Sequence, residues 1–500
     1  MTESPDAPTV RVAVGDGRSA RVLDRATALA GNQTRIVEAG PTGAPGGPYV
    51  YVTVNGRTAL HAGVTESSVE RLLDACEAGR LPTEDATVVS DGEQPPQPDD
   101  GPLAVGKRRV LRGCGWREPT DVPSPVAAEV ADAPENAVST VERVGLRGRG
   151  RADIAADEPL TAVWQRARNA DGDPVLVVNA NDADPEANAD RVLCAAATGR
   201  LQDAAEAVAA IVGAEDIVVF APSEDDLVVD RVREVDGWQV ATADANFRLG
   251  EPTMALEALE GNDRVEARRR PPGPEEWGLY GRPTLVHTPR TLLQLAELWR
   301  NPDAFDTDAA DPGTRVVSVG GDVVAPATVE LPTEMSLGQA LSAVEVAASS
   351  RDAWTMADAR FIVGGRFGGL TDSLDVPAAG PALEAAGLGT AGIVEVFGPN
   401  HCVVAAVGER AAFAREENCG RCVPCREGSK QLHEALRDVY DGEFDDGGLR
   451  ELSRVMRTSS LCAFGEAAAR PVRTALDAFE GEFRAHANGE CPAGACGGLQ

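Results

Sequence analysis

Three cysteines stand two residues apart in Cys419-Gly-Arg-Cys422-Val-Pro-Cys425, and Cys462 follows after a gap of 36 residues. Four thiolates suit an iron-sulfur cluster or a tetrahedral zinc ion. Three close cysteines with one distant partner is the spacing of a 4Fe-4S cluster, and the reading here is a cluster ligated by all four. Zinc is the rival. The small residues Gly420, Gly428, Ala463 and Gly465 would let backbone N–H groups approach the cluster sulfurs, which raises the reduction potential.

A chain of 500 residues is too long for one core, so two to four domains are expected. A hydrophobic fraction of 43% and a charged fraction of 25% are those of a globular protein. The net charge of -32 excludes nucleic acid and anionic membrane surfaces as general partners, because like charges repel at long range. Only Lys107 and Lys430 are lysines, and that depletion, with the acidic excess, marks a halophilic protein of a salt-rich cytosol. The start, MTESPDAPTV, has neither the basic nor the apolar region of an export signal, and no run of 18 apolar residues crosses a bilayer. The expected location is cytoplasmic, at the inner face of the membrane only through partner subunits, without direct membrane insertion. Ten cysteines, four in one pattern, point to metal ligation in a reducing compartment.

The elements that must position these thiols follow from periodicity. Val10–Val14 and Tyr49–Val54 alternate as strands, the latter ending at Asn55-Gly56, and Val69, Leu72, Leu73 and Cys76 share a helical face. Ser90 to Gly101 has linker composition. Val175–Val178 and Ile217–Phe220 are short apolar strands between Ala-rich helices, as in βαβ units. Arg268 to Pro274 is a loop, and Arg315 to Leu331 alternates before a helix expected near Leu337 to Val346. Beyond Phe413 the periodicity is helical, with Leu432 and Leu436, Leu449 and Met456, then Val472, Leu476 and Phe483 on apolar faces.

The stretches Glu417-Asn-Cys-Gly-Arg-Cys-Val-Pro-Cys-Arg-Glu-Gly428 and Ser460-Leu-Cys-Ala-Phe-Gly465 resemble the cluster motif of the flavin-carrying NADH dehydrogenase subunit of respiratory complex I. The same subunit type serves NAD-linked hydrogenases and formate dehydrogenases. The resemblance implies FMN, NAD(H) and a 4Fe-4S cluster as cofactors, and other redox subunits as partners. It implies a flavin loop at Gly145, Arg147, Gly148, Arg149 and Gly150, although the family's phosphate-binding lysine before Trp164 is absent and Asp153, Asp157 and Glu158 stand nearby. Arg147, Arg149 or Arg151 would then have to replace that lysine. It implies an acidic loop at Asn179, Asp182 and Asp184 and a further cofactor-binding motif at Gly250 and Glu251, with Asp182, Asp184 and Glu251 as the orienting residues. The family's asparagine pair is replaced by His287 and Thr288, His287 being read as a loop residue and Cys402 as buried packing.

The resemblance also sets the architecture: α/β multidomain, with a thioredoxin-like N-terminal domain, a Rossmann-like flavin domain, a ubiquitin-like β-grasp domain and a C-terminal helical bundle with the cluster. The expected boundaries are 1–89, a linker at 90–102, then 103–312, 313–400 and 401–487, with a vestigial tail at 488–500. Gly40-Pro41-Thr42-Gly43-Ala44 stands where the first domain's 2Fe-2S cysteines would be, so that centre cannot form. Cys491 and Cys496 match a segment leading into a two-cluster ferredoxin domain and are read as a remnant, with a redox pair as the alternative. The function implied is electron transfer from NADH through FMN to the cluster; the alternative is a non-catalytic iron-sulfur relay or assembly subunit.

Overall fold

The computed structural model describes residues 7–92, 94–347 and 354–496. Thr9–Ala13 pairs in parallel with Arg35–Ala39 and antiparallel with Tyr49–Val54. Asn55 and Gly56, both at positive φ, turn that strand back as Arg57–His61, and Val88–Asp91 closes the five-stranded sheet. Its last strand therefore uses residues with linker composition. Helices Gly17–Leu29 and Glu66–Glu77 each start with a capping box, Asp16 with Ser19 and Thr65 with Ser68. Both bury an apolar stripe, Val22 and Ala26 in one and Val69, Leu73 and Cys76 in the other, against Val10, Val12, Val50 and Val52.

The second sheet is parallel throughout, in the order Trp238–Ala243, Asp216–Pro222, Val175–Asn179, Thr284–His287. Val175–Asn179 is buried along its whole length, as expected of a strand covered on both faces. Helices Leu160–Asn169, Thr198–Val212, Asp226–Arg233 and Pro289–Arg300 contribute to the same core, the largest in the molecule. Chain order reverses between Val175–Asn179 and Thr284–His287, and at such a switch point the carboxyl ends of the strands open a crevice. Asn179 and His287 are the last residues of those two strands.

A third, mixed sheet runs Ala327–Pro332, Thr314–Gly321, Ile393–Phe397, Arg360–Val363, Gly369–Thr371, with Thr314–Gly321 and Ile393–Phe397 parallel. The helix expected near Leu337 to Val346 is instead a 3-10 helix, Leu337–Ala343. Val346 forms a bridge with Val323, and Glu345 O accepts from Val324 N, so sheet-type pairing takes the chain out of the helix after Ala343. Beyond the sheet lie helices Val403–Glu417, Val423–Asp438, Asp446–Ser459, Ala463–Ala467 and Arg470–Ala487, around a core of Val407, Leu432, Leu436, Leu449, Met456, Leu476 and Phe483. Among the described residues no helix is long and apolar enough to cross a membrane.

Candidate functional site

Two helix starts bring the four thiols together. Cys422 is the N-cap of Val423–Asp438, whose first turn contains Pro424 and Cys425, and Cys462 is the N-cap of Ala463–Ala467. Gly420, at φ +78, makes the turn between Cys419 and Cys422 that a side chain would strain. Asn418 Oδ1 accepts from Gly420 N at 3.0 Å and Arg426 donates to Gly420 O at 2.9 Å, which fixes that turn. All four cysteines line one small cavity with Ala267, Gly420, Arg421, Leu461 and Phe464. Burial, then the neighbouring thiols, push the Cys425 thiol well above its ordinary value. Burial, then Glu251, push Cys462 up to about 12, against backbone hydrogen bonds from Gly465 and Phe464 that act the other way. Loading a metal therefore expels protons from at least these two groups. Four soft donors at helix starts fit an iron-sulfur cluster, which the field of a longer helix such as Val423–Asp438 favours as an anion. Gly465 approaches within a Cβ's reach of Cys425, whereas Gly428 faces Met456 and serves helix packing.

The second constellation lies at the carboxyl ends of the strands around the switch point. Asp182, on the loop after Val175–Asn179, receives Arg151 Nε at 2.9 Å and Arg290 at 3.3 Å, and Arg290 also grips Asp190 at 2.7 and 2.9 Å. Asp184 accepts from the backbone N–H of Arg366, and burial, then Asp182, raise its carboxyl above the ordinary value. Asn179 is spent on positioning: its amide donates to Leu249 O and its oxygen accepts from Asn181 N. Glu251 caps helix Pro252–Leu259 through Met254 N at 2.9 Å and meets Arg270 at 3.3 Å. Gly250 has the Arg151 guanidinium where a Cβ would stand, and Gly150 likewise meets Arg290.

The three arginines proposed for the missing lysine divide. Arg147 donates to Asp157 O and Ala310 O, and Arg149 is buried on Asp311 at 2.6 Å, so both brace the loop. Arg151 alone keeps a buried amino group without a hydrogen-bond partner, and both amide atoms of the fully buried Asn181 are unpartnered too. Polar groups in that state are what a bound flavin would satisfy, so these residues fit FMN. Two of the carboxylates near the loop are engaged: Asp157 pairs with Arg315 at 2.5 Å through one oxygen, and Asp153 accepts from Ala155 N and Thr288 N. His287, expected in a loop, is fully buried at the end of its strand, between Trp164 Nε1 at 2.9 Å and Asp153 at 3.1 Å. Gly145, at φ +72, ends helix Pro134–Val144.

The first domain's loop at Pro41 to Ala44 is used for docking. Gly43 O accepts from Thr328 N at 2.7 Å, Arg108 donates to Thr42 O, and Gly40 lies against the backbone of Ala196. At the far end of the described residues Cys402 is buried, as expected, and stands beside Cys491 and Cys496. Their sulfurs and His486 Nε2 all lie within 4.8 Å of one another. Sequence reasoning also passed over Asn181, Arg290 and Phe247. Asn181 had a signal in its place two residues after Asn179; Arg290 had none, because its partners Asp182 and Asp190 lie 108 and 100 residues away.

Residues 141–297 match the Nuo51 FMN-binding domain, and residues 405–486 match the NADH-ubiquinone oxidoreductase-F iron-sulfur binding region. The chain is 31% identical to an NADH-quinone oxidoreductase subunit of Mycobacterium tuberculosis over 392 residues, 72% of this chain and 86% of that one. It is 27% identical to the NADP-reducing hydrogenase subunit HndC of Solidesulfovibrio fructosivorans over 435 residues, 78% and 86% of the two chains. The fold is similar to a chain in the crystal structure of a NAD+-reducing [NiFe]-hydrogenase in the H2-reduced state, with a TM-score of 0.64 and 23% identity over 97% of this chain and 86% of that one. With a flavin-binding domain, a cluster-binding region and this identity along most of its length, the chain belongs to the NADH-quinone oxidoreductase-F family.

Proposed function

We propose that this chain takes electrons from NADH and delivers them, by way of FMN and a 4Fe-4S cluster on Cys419, Cys422, Cys425 and Cys462, to other redox subunits. FMN supplies hydride acceptance and the cluster one-electron acceptance; the protein supplies their positions and surroundings. The observation that carries the reading is the wall the two sites share. Phe247 lies under the Arg151 guanidinium at 3.7 Å on the crevice side, and its ring is 5.8 Å from that of Phe464, which lines the cysteine cavity. Phe367 packs against both of these rings, and Phe413 against Phe247 and Phe367. Arg421 ties the two sides by donating to Ala267 O at 2.9 Å.

Within the crevice Arg151 supplies the cation for a phosphate or ring oxygen, and Asn181 supplies an amide donor and acceptor. Arg290 holds Asp182 and Asp190 in place, while the buried Asp184 and Glu251 are the carboxylates for a ribose or ring N–H. The relatives are named as subunits of quinone-linked and hydrogenase enzymes, which supports partner subunits that accept the electrons. In this reading the protein works in the cytoplasm and reaches a membrane only through those partners. The acidic, lysine-poor composition supports a halophilic setting.

Extraction of the anaerobically purified chain, kept in salt, is the test. About one FMN and about four irons with matching sulfide per chain are expected. Full iron content with no flavin, even after incubation with excess FMN, would replace this reading with the non-catalytic relay.

A further inference from the structure

Outside the cavity that holds the cluster ligands, a second group of soft donors converges where the chain's last described residues return to the helical region. Cys402 is the N-cap of helix Val403–Glu417, His486 sits in the last turn of Arg470–Ala487, and Cys491 and Cys496 follow on the tail. Cys402 Sγ is 3.1 Å from His486 Nε2, Cys496 Sγ is 3.6 Å from the same nitrogen, and all four donor atoms lie within 4.8 Å of one another. At bond lengths of about 2.3 Å to sulfur and about 2.0 Å to nitrogen, tetrahedral donors stand some 3.5–4 Å apart. The spacing leaves room for one ion and not for a cluster.

A second, independent observation fixes the histidine for ligation. His486 Nδ1 stands 2.7 Å from Glu482 O, a carbonyl one turn earlier that can only accept, so Nδ1 carries the proton. Nε2 is then the lone-pair nitrogen, and it faces the three sulfurs. A backbone carbonyl orienting the far nitrogen is the usual support of a metal-bound histidine. His486 and Cys402 are both buried, and Tyr440 packs edge-on against the imidazole at 5.3 Å, shielding the site from water.

We propose that Cys402, His486, Cys491 and Cys496 bind a single zinc ion, as a closed structural site separate from the iron-sulfur centre. Three thiolates and one imidazole with no open position give a structural rather than a catalytic zinc. The ion would staple the tail to the start of one helix and the end of another, a closure spanning 84 residues between Cys402 and His486. The two thiols of the tail are thereby ligands and not a redox pair.

Elemental analysis of the full-length protein, purified without added zinc or chelator, tests this, together with zinc K-edge absorption on the unmodified chain. The expected result is about one zinc per chain beside the cluster iron, with a shell of three sulfurs and one nitrogen. H486A and C496S should lose that zinc while iron stays unchanged, and His486→Cys should keep it with four sulfurs. An all-sulfur shell in the unmodified protein would place the zinc in the Cys419 cavity and overturn the proposal. So would a native chain free of zinc, before and after incubation with zinc chloride, or a Cys491–Cys496 disulfide found by mass spectrometry of anaerobically alkylated protein.

Discussion

Arg151 is where the chemistry of this chain departs furthest from the pattern it resembles. The lysine that would meet a flavin phosphate is missing, and of three nearby arginines only this one keeps an unpaired buried N–H. Arg151→Ala should therefore weaken FMN binding by about ten- to a hundredfold, the loss of one charge-assisted contact of roughly 1.5–3 kcal/mol. Iron content should not change; flavin titration with parallel iron assay checks both. Conversion of any of Cys419, Cys422, Cys425 or Cys462 to Ser should strip or destabilise the cluster, whereas Cys114→Ser and Cys194→Ser should leave iron and visible absorption as they are. The convergence of these four thiols on one cavity was legible in the sequence because three of them lie within seven residues, where spacing alone dictates geometry. His287 was not legible, because what makes it a buried strand residue is Asp153, 134 residues earlier.

At the scale of elements, the glycine loop stays in place because a buried charge network clamps it to the third sheet. Asp311 accepts Arg149 at 2.6 Å and Arg315 at 3.1 Å, and Arg315 also holds Asp157. Burial alone would raise the Asp311 carboxyl, but Arg149 and Arg315 hold it below its ordinary value. A depressed carboxylate contributes stability that is present above its unfolded value, near pH 4, and is lost as pH falls through the folded one. The clamp should thus be intact at neutral pH and fail only in acid. Asp311→Ala leaves two buried guanidinium groups without their shared partner and should cost about 3–5 kcal/mol, seen as a lower denaturant midpoint at neutral pH. The variant should lose most of its difference from the parent below pH 4. Strands and helices with strict alternation or a full apolar stripe were legible, as in Tyr49–Val54 and Glu66–Glu77. The segment after Leu337 was not, because a single bridge between Val346 and Val323 outweighs local helical periodicity.

Across the whole molecule, 79 acidic side chains against 47 basic ones leave a charge of -32, and many of the arginines are committed to buried pairs with specific acids. The remaining surface repels itself, and at about 1 M salt the screening length falls to roughly 3 Å. Thermal stability should accordingly rise with salt up to molar concentrations and collapse in dilute buffer; a melting temperature independent of salt would remove the halophilic reading. The order of the flavin-binding and iron-sulfur binding regions was legible from motif order, but their contact was not. The wall of Phe247, Phe367, Phe413 and Phe464 joins residues more than a hundred positions apart, and no periodicity reveals it. In the function proposed above, that wall makes one electron path of two sites. The most direct measurement is therefore an anaerobic titration of the FMN-loaded chain with NADH in molar salt, followed by low-temperature paramagnetic resonance. The account predicts that NADH alone bleaches the flavin and then produces the signal of one reduced 4Fe-4S cluster, a signal that Phe247→Ala slows and the cysteine variants lack. Flavin and cluster that stay oxidised with NADH, yet are reduced by dithionite, would contradict it.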